Sequence, residues 1–170
     1  RDSSSIVRTS VGPSGRNKII VNNIQKVFLT SDASTILGEL EIVHPAVKVV
    51  VMASQQQDLE MGDASNFVVV LAGELLSQAE ELVRIGMSPT EIVAGFEQGK
   101  AHAQKLLSTI ESDPQVGYQQ ILQSVMAPKQ YGHERVLAKL VAEAVEYVLP
   151  KGSTSFNVDN IRIVTVSYTH

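Results

Sequence analysis

Glu60-Met61-Gly62-Asp63-Ala64-Ser65-Asn66, running straight into Phe67-Val68-Val69-Val70-Leu71, is the stretch that decides how this chain is read. Gly62 breaks whatever precedes it, and an acid and two small polar residues follow. Behind them an apolar pattern of helical period begins, with Phe67, Val70, Leu71, Leu75, Ala79, Leu82 and Ile85 in phase. Capping side chains followed by a buriable face mark a helix N-terminus. Such an end carries unpaired backbone N–H groups and the positive end of the helix dipole, so it can hold an anion. Asp63 would repel that anion unless a hard cation such as Mg²⁺ bridged the two. Alone, the stretch is an ordinary cap.

Two related junctions lie upstream. Gly12-Pro13-Ser14-Gly15, followed by Lys18, is a glycine-rich turn ahead of a strand-like run. It lacks the Walker form, and on its own it is a plain turn. Asp32 with Ser34 and Thr35 stands where a β-branched run gives way to helical spacing, again a cap when taken alone. Together the three supply backbone N–H groups, an acid for Mg²⁺ and an acid to orient water. Those are the parts of a phosphoryl-transfer site.

The remaining elements follow from period and punctuation. Ile6 to Thr9 closes a helix, and Lys18–Val21 and Val27–Thr30 read as a hairpin about Asn22-Asn23. Pro45 opens a helix whose run Val47 to Met52 is expected to be buried all round. Ala64 to Ile85 is a long helix ended by Gly86. Ser88-Pro89-Thr90-Glu91 starts another to about Ile110, with Ile92, Val93, Phe96, Ala103, Leu106 and Leu107 expected inward. Ser112 to Gly117 is a candidate boundary. Helices at Tyr118–Met126 and Tyr131–Leu149 follow, the latter with Leu137, Leu140, Val141, Val145 and Val148 as its stripe. Val158 to Val166 alternates like a strand, yet no partner for it is in view, and a lone strand cannot stand by itself. The fold class is mainly α with a small β element.

Composition excludes several functions. The 170 residues carry a net charge of −4 with no basic cluster, which gives no footprint for nucleic acid. Without cysteine there is neither a disulfide nor Cys-ligated zinc, and the four histidines lack ligand spacing. Aromatics make up only 5%, too few for stacking platforms. No apolar run approaches the roughly 18 residues of a membrane span. No serine stands in a nucleophile elbow. Arg1-Asp2-Ser3-Ser4-Ser5 has neither an initiator Met nor a hydrophobic signal region, so the chain reads as a piece of something longer.

Thr9 to Lys18, then Thr30-Ser31-Asp32-Ala33-Ser34-Thr35-Ile36-Leu37, then Gly62 to Asn66, resemble in order and spacing the three nucleotide-site signatures of group II chaperonins. The likeness is to subunits of the eukaryotic cytosolic chaperonin (CCT, or TRiC), and it covers nearly the whole chain. It implies an equatorial ATP-binding domain in its N-terminal part, residues 1–127, and the first part of an intermediate domain, residues 128–170. The apical domain and the C-terminal equatorial part would be absent. The implied function is that of an ATP-dependent chaperone subunit in a cytoplasmic hetero-oligomeric double ring, folding unfolded clients such as actin and tubulin. Its partners would be the other chaperonin subunits and the clients, with no nucleic acid and no membrane, and its cofactors ATP and Mg²⁺. Gly12 and Pro13 would line the phosphates through their backbone. Asp63 would bind the metal, Ala64, Ser65 and Asn66 would contact phosphate, and Asp32 would help position the attacking water.

The sequence also departs from the family's pattern. Ala33 and Ala64 stand where glycine follows each acid, and Asn66 replaces a hydroxyl. A third acid from the C-terminal half is missing. The chain is also expected to be short between Ile110 and Tyr118 and to leave the pattern after Ile163, as a truncated or aberrantly spliced product would. By itself it is expected not to turn over ATP. The competing expectation is a scaffold subunit or fragment acting through ring interfaces.

Overall fold

A computed structural model describes residues 2–110, 117–150, 152–153 and 155–164. The chain divides into two compact units, Arg1–Gln115 and Val116–His170. Of the segment expected to be short, 111–117, all but Gly117 lies outside the described residues.

In the first unit, α1 (Asp2–Arg8) leads into a two-stranded antiparallel hairpin, β1 (Lys18–Val21) and β2 (Val27–Thr30). Its register pairs Lys18 with Thr30 and Val21 with Val27. The loop is longer than Asn22-Asn23 suggests. Asn22 Oδ1 accepts from the N–H groups of Ile24 (3.2 Å) and Lys26 (2.9 Å), which leaves Gln25 at φ +59°. Four helices follow: α2 (Ala33–Glu39), α3 (Pro45–Met61), α4 (Ser65–Arg84) and α5 (Pro89–Ile110).

Local chemistry sets these boundaries. Asp32 caps α2, and His44 caps α3 through Nδ1 to the Ala46 N–H, with Pro45 in the first turn. Gly62, at φ +69°, ends α3 by donating to Asp58 O at 2.8 Å. Gly86, at φ +100°, turns the chain out of α4, and Met87 N–H bonds Leu82 O at 3.1 Å. A capping box then starts α5. Ser88 N–H and Oγ both donate to Glu91 Oε2, and Glu91 N–H reaches back to Ser88 Oγ.

The core lies where α1, α2, α4 and the hairpin meet: Val7, Ile20, Ala33, Ile36, Leu37 and Val69 are buried, with Phe28, Leu40, Val50 and Val70 packed around them. Burying each large aliphatic chain contributes about 1.5–3 kcal/mol. A helix of seven residues such as α2 is too short to persist alone, so this packing holds it. Helix α1 approaches α4 closely at Gly73, where a Cβ would strike Ser4, and Arg8 pairs with Glu74 beside it.

Two expectations of burial fail here. Val49 and Met52 are 65% and 66% exposed, because α3 is packed only along the side facing α2 and α4. On α5, Ile92 is buried and Phe96 half-buried, while Ala103, Leu106 and Leu107 are exposed. The apolar stripe of α5 runs on past the part of it that α4 covers.

In the second unit, α6 (Tyr118–Met126) packs on α7 (Glu134–Val148). The α7 helix starts later than Tyr131, because Gly132 at φ +86° belongs to the preceding turn. Ala138 and Ala142 form its buried line, flanked by Leu137, Val141, Val145 and Val148, while Leu140 faces outward. The alternating run from Val158 forms no strand in the described part, as its lack of a partner implies. Asn157 caps a 3-10 turn at Val158–Asn160, and residues 161–164 are irregular. A single alternating run without a partner has nowhere to place its backbone hydrogen bonds. Among the described residues, no helix is long and apolar enough to cross a membrane.

Candidate functional site

The three sequence junctions converge on the first turn of α4. The glycine-rich turn is closed by Gly15 N–H to Gly12 O (2.9 Å) and Arg16 N–H to Thr9 O (3.0 Å). Gly12 sits at φ +82° with open space where a Cβ would be, so conformation alone requires glycine there. Gly15 is different. A Cβ would lie 2.5 Å from Ser10 O, so the backbone itself occupies that space. Ser10, buried beneath the turn, donates from Oγ to Arg16 O at 2.7 Å, and Lys18 Nζ reaches Thr9 Oγ1.

Asp32 does two things at once. Its Oδ2 accepts from the N–H and the hydroxyl of Thr35, at 2.8 and 2.9 Å, which caps α2. Its Oδ1 accepts the hydroxyl of Ser65, the first residue of α4. Ser65 is 2% exposed, and its carbonyl accepts from the fully buried Ser54 of α3 at 3.3 Å. Asn66 completes the junction. Its Oδ1 accepts from Ala33 N–H at 2.8 Å, and its Nδ2 donates to Ser31 O at 2.8 Å and Ser10 O at 3.2 Å.

Asp63 stands between two residues in the left-handed region, Gly62 at φ +69° and Ala64 at φ +65°. Gly62, Asp63 and Ala64 are all exposed, and Gln57 Nε2 donates to Asp63 O. Ala64 occupies the N-cap of α4 and makes no side-chain cap bond. The opening N–H groups of a helix without such a cap need another acceptor. Ala33 is unlike Ala64. It lies inside α2 with ordinary φ, and its methyl group is in the core, so glycine is not needed there.

These features suit an anion with a bridging cation. The glycine turn and residues 62–64 just ahead of α4 are exposed, and Asp63 offers one carboxylate there. Among the described residues, no group of three or more His, Asp or Glu could hold a metal alone. Mg²⁺ is ordinarily held in just this way, by one or two carboxylates with water and phosphate oxygens completing the shell.

Sequence reasoning missed Ser10 and Ser54. Ser10 preceded the glycine turn as one small polar residue among several. Ser54 had a faint signal, a serine directly after the apolar run of α3. Of the histidines, His44 is a cap, His102 and His133 are exposed, and His170 lies outside the described residues.

The α4 junction and the mainly helical fold belong to a known class. The TCP-1/cpn60 chaperonin family matches residues 4–169, and the chain belongs to that family. The match extends through the tail that was expected to leave the pattern after Ile163, which corrects that expectation. Among curated proteins, the chain is 48% identical to the probable T-complex protein 1 subunit theta of Schizosaccharomyces pombe, over 98% of this chain and 32% of the relative. It is 48% identical to the Candida albicans subunit theta, over 98% and 31%, and 42% identical to the mouse one, over 94% and 30%. The chain thus spans about a third of the length of the curated relatives it matches. Glu39-Leu40-Glu41 with His44-Pro45-Ala46, Lys129 to Gly132 and Phe156 to Ile161 are the runs that point to the theta type in the sequence itself.

Proposed function

We propose that this chain is the nucleotide-binding portion of a theta-type chaperonin subunit, acting in the cytoplasm within a hetero-oligomeric double ring that folds unfolded proteins such as actin and tubulin. Residues 1–127 would form the N-terminal part of the equatorial domain, and residues 128–170 the first part of the intermediate domain. The compact unit holding α6 and α7 begins earlier, at Val116.

The observation that carries this reading is the convergence of the glycine turn, the Asp32 loop and the α4 N-terminus through Ser65 and Asn66. In this reading Gly12 and Pro13 present backbone to the phosphates, and the opening residues of α4, Ala64, Ser65 and Asn66, supply N–H groups. Asp63 holds Mg²⁺, and Asp32, fixed by Thr35 and Ser65, orients water. Bound Mg·ATP supplies the phosphoryl group whose hydrolysis drives the chaperone cycle.

Titration calorimetry of the 170-residue chain with ATP tests the reading. Binding is expected with Mg²⁺, and Asp63→Ala should abolish its dependence on the metal. No binding by the unsubstituted chain would move the function to a ring scaffold. One feature favours that second reading: Ala64 keeps a methyl group in the left-handed region, which costs about 1–2 kcal/mol in a non-glycine residue. On either reading the chain alone binds at most and does not turn over ATP.

A further inference from the structure

The Asn66 side chain is hydrogen-bonded to both upstream junctions. Its carboxamide spans the Ser10 carbonyl of the glycine turn, the Ser31 carbonyl and the Ala33 N–H that flank Asp32. The partners fix its orientation, since the oxygen faces an N–H and the nitrogen faces two carbonyls. A hydroxyl carries one proton and could serve only one of those carbonyls. An aspartate could serve neither. With its oxygen and nitrogen both engaged by backbone, the Asn66 side chain is turned into the protein rather than out toward a ligand.

We infer that Asn66 is a positioning residue for the nucleotide site: its side chain is the latch that sets the Asp32 loop against the glycine turn before any ligand arrives. The affinity part of the inference rests on the nucleotide reading, whereas the latch itself does not. Ala33 N–H opens α2 and so has no partner within that helix, and Asn66 is the acceptor it finds. Thr35 N–H, two residues on, is held by Asp32 instead. The two amides therefore report separately on the latch and on the cap.

Amide hydrogen exchange by NMR on the full chain, without nucleotide, tests the latch in Asn66→Ala and in the near-isosteric Asn66→Asp. Exchange at Ala33 is expected to speed up about tenfold or more in Asn66→Ala, the loss of a partly buried hydrogen bond. Asn66→Asp keeps an oxygen acceptor for that N–H and loses only the two bonds donated to Ser10 and Ser31. Arg16, in the glycine turn, should follow more weakly, while Thr35 and the amides of Leu37 and Val69 hold. Unchanged exchange at Ala33 in Asn66→Ala would overturn the inference. So would uniform acceleration across α2 and α4, which would make Asn66 a general stability residue. Titration with Mg·ATP supplies the second arm, where both variants should bind about tenfold more weakly with core exchange intact. Equal affinity with Ala33 released would also overturn positioning. If the unsubstituted chain does not bind ATP, the nucleotide reading fails, and the exchange result still decides the latch.

Discussion

The first turn of α4 and the groove that α4 shares with α5 are written in the same apolar period and end up differently. At the first turn Ser65 and Val69 are 2% and 1% exposed, and each polar side chain there has a partner on another element. Farther along, Leu71, Leu75, Val93 and Phe96 line an open groove of about 650 Å³, with Lys100 at its edge. Periodicity marks the apolar side of a helix, but burial needs an element to lie against it. In this chain the elements meet where capping and carboxamide chemistry joins them, and the apolar face outruns the joint.

The sharpest way to break that comparison is to truncate one leucine in the core beside the first turn of α4 and one on the exposed run of α5. Leu37→Ala, at 2% exposure, should cost about 2–5 kcal/mol in urea unfolding followed by circular dichroism. Leu107→Ala, exposed on α5, should stay within about 0.5 kcal/mol. Equal costs would mean that the exposed run of α5 is as tightly packed as the core. Glycine substitutions sharpen the contrast by changing its sign. Gly15→Ala drives a methyl group into the Ser10 backbone and should destabilise by about 1–3 kcal/mol. Gly99→Ala meets nothing within 4 Å on the exposed run of α5 and should stabilise by about 0.5–1 kcal/mol in the same assay.

The smallest effect lies at the start of α5. The backbone N–H of Ser88, and then its hydroxyl, hold the Glu91 carboxyl below the usual carboxylate range. Because the folded state has the lower pKa, this contribution to stability is complete above the unfolded titration. It is lost as pH falls through the folded one. Thermal unfolding followed from about pH 6 to about pH 3 should therefore show a slightly steeper loss for the unsubstituted chain than for Glu91→Gln. Parallel curves would show that the capping box adds nothing at this exposed helix start.

Local signals in the sequence carried well. Gly62, Gly86, Pro45 and the Ser88–Glu91 box fixed helix ends, because each acts through its own backbone within a few residues. The hairpin and α6 followed for the same reason. Exposure was less legible. The apolar runs of α3 and α5 say what could be buried, and only the neighbours decide what is. The alternation from Val158 was no strand for the reason already legible in the sequence, that a strand needs a second one at hand. At the site, the three signatures were visible, but not the way they are tied. The donors of Asn66 act across 35 and 56 residues of chain, and no local pattern encodes such a pairing. Ala64 was legible as a departure, and its φ of +65° gives the reason that glycine suits the position.

The reach of Asn66 has a consequence in time as well as in space. Its bond to Ser10 closes a loop of 56 residues, so the glycine turn, the Asp32 loop and the α4 terminus cannot be joined until everything between them has been made and brought together. The hairpin and the α6–α7 pair close over short distances and form early on such a scale. During synthesis the joint therefore assembles after its parts, once residue 66 has emerged and α4 can fold behind it. Until then, Asn66 has yet to reach the carbonyls of Ser10 and Ser31.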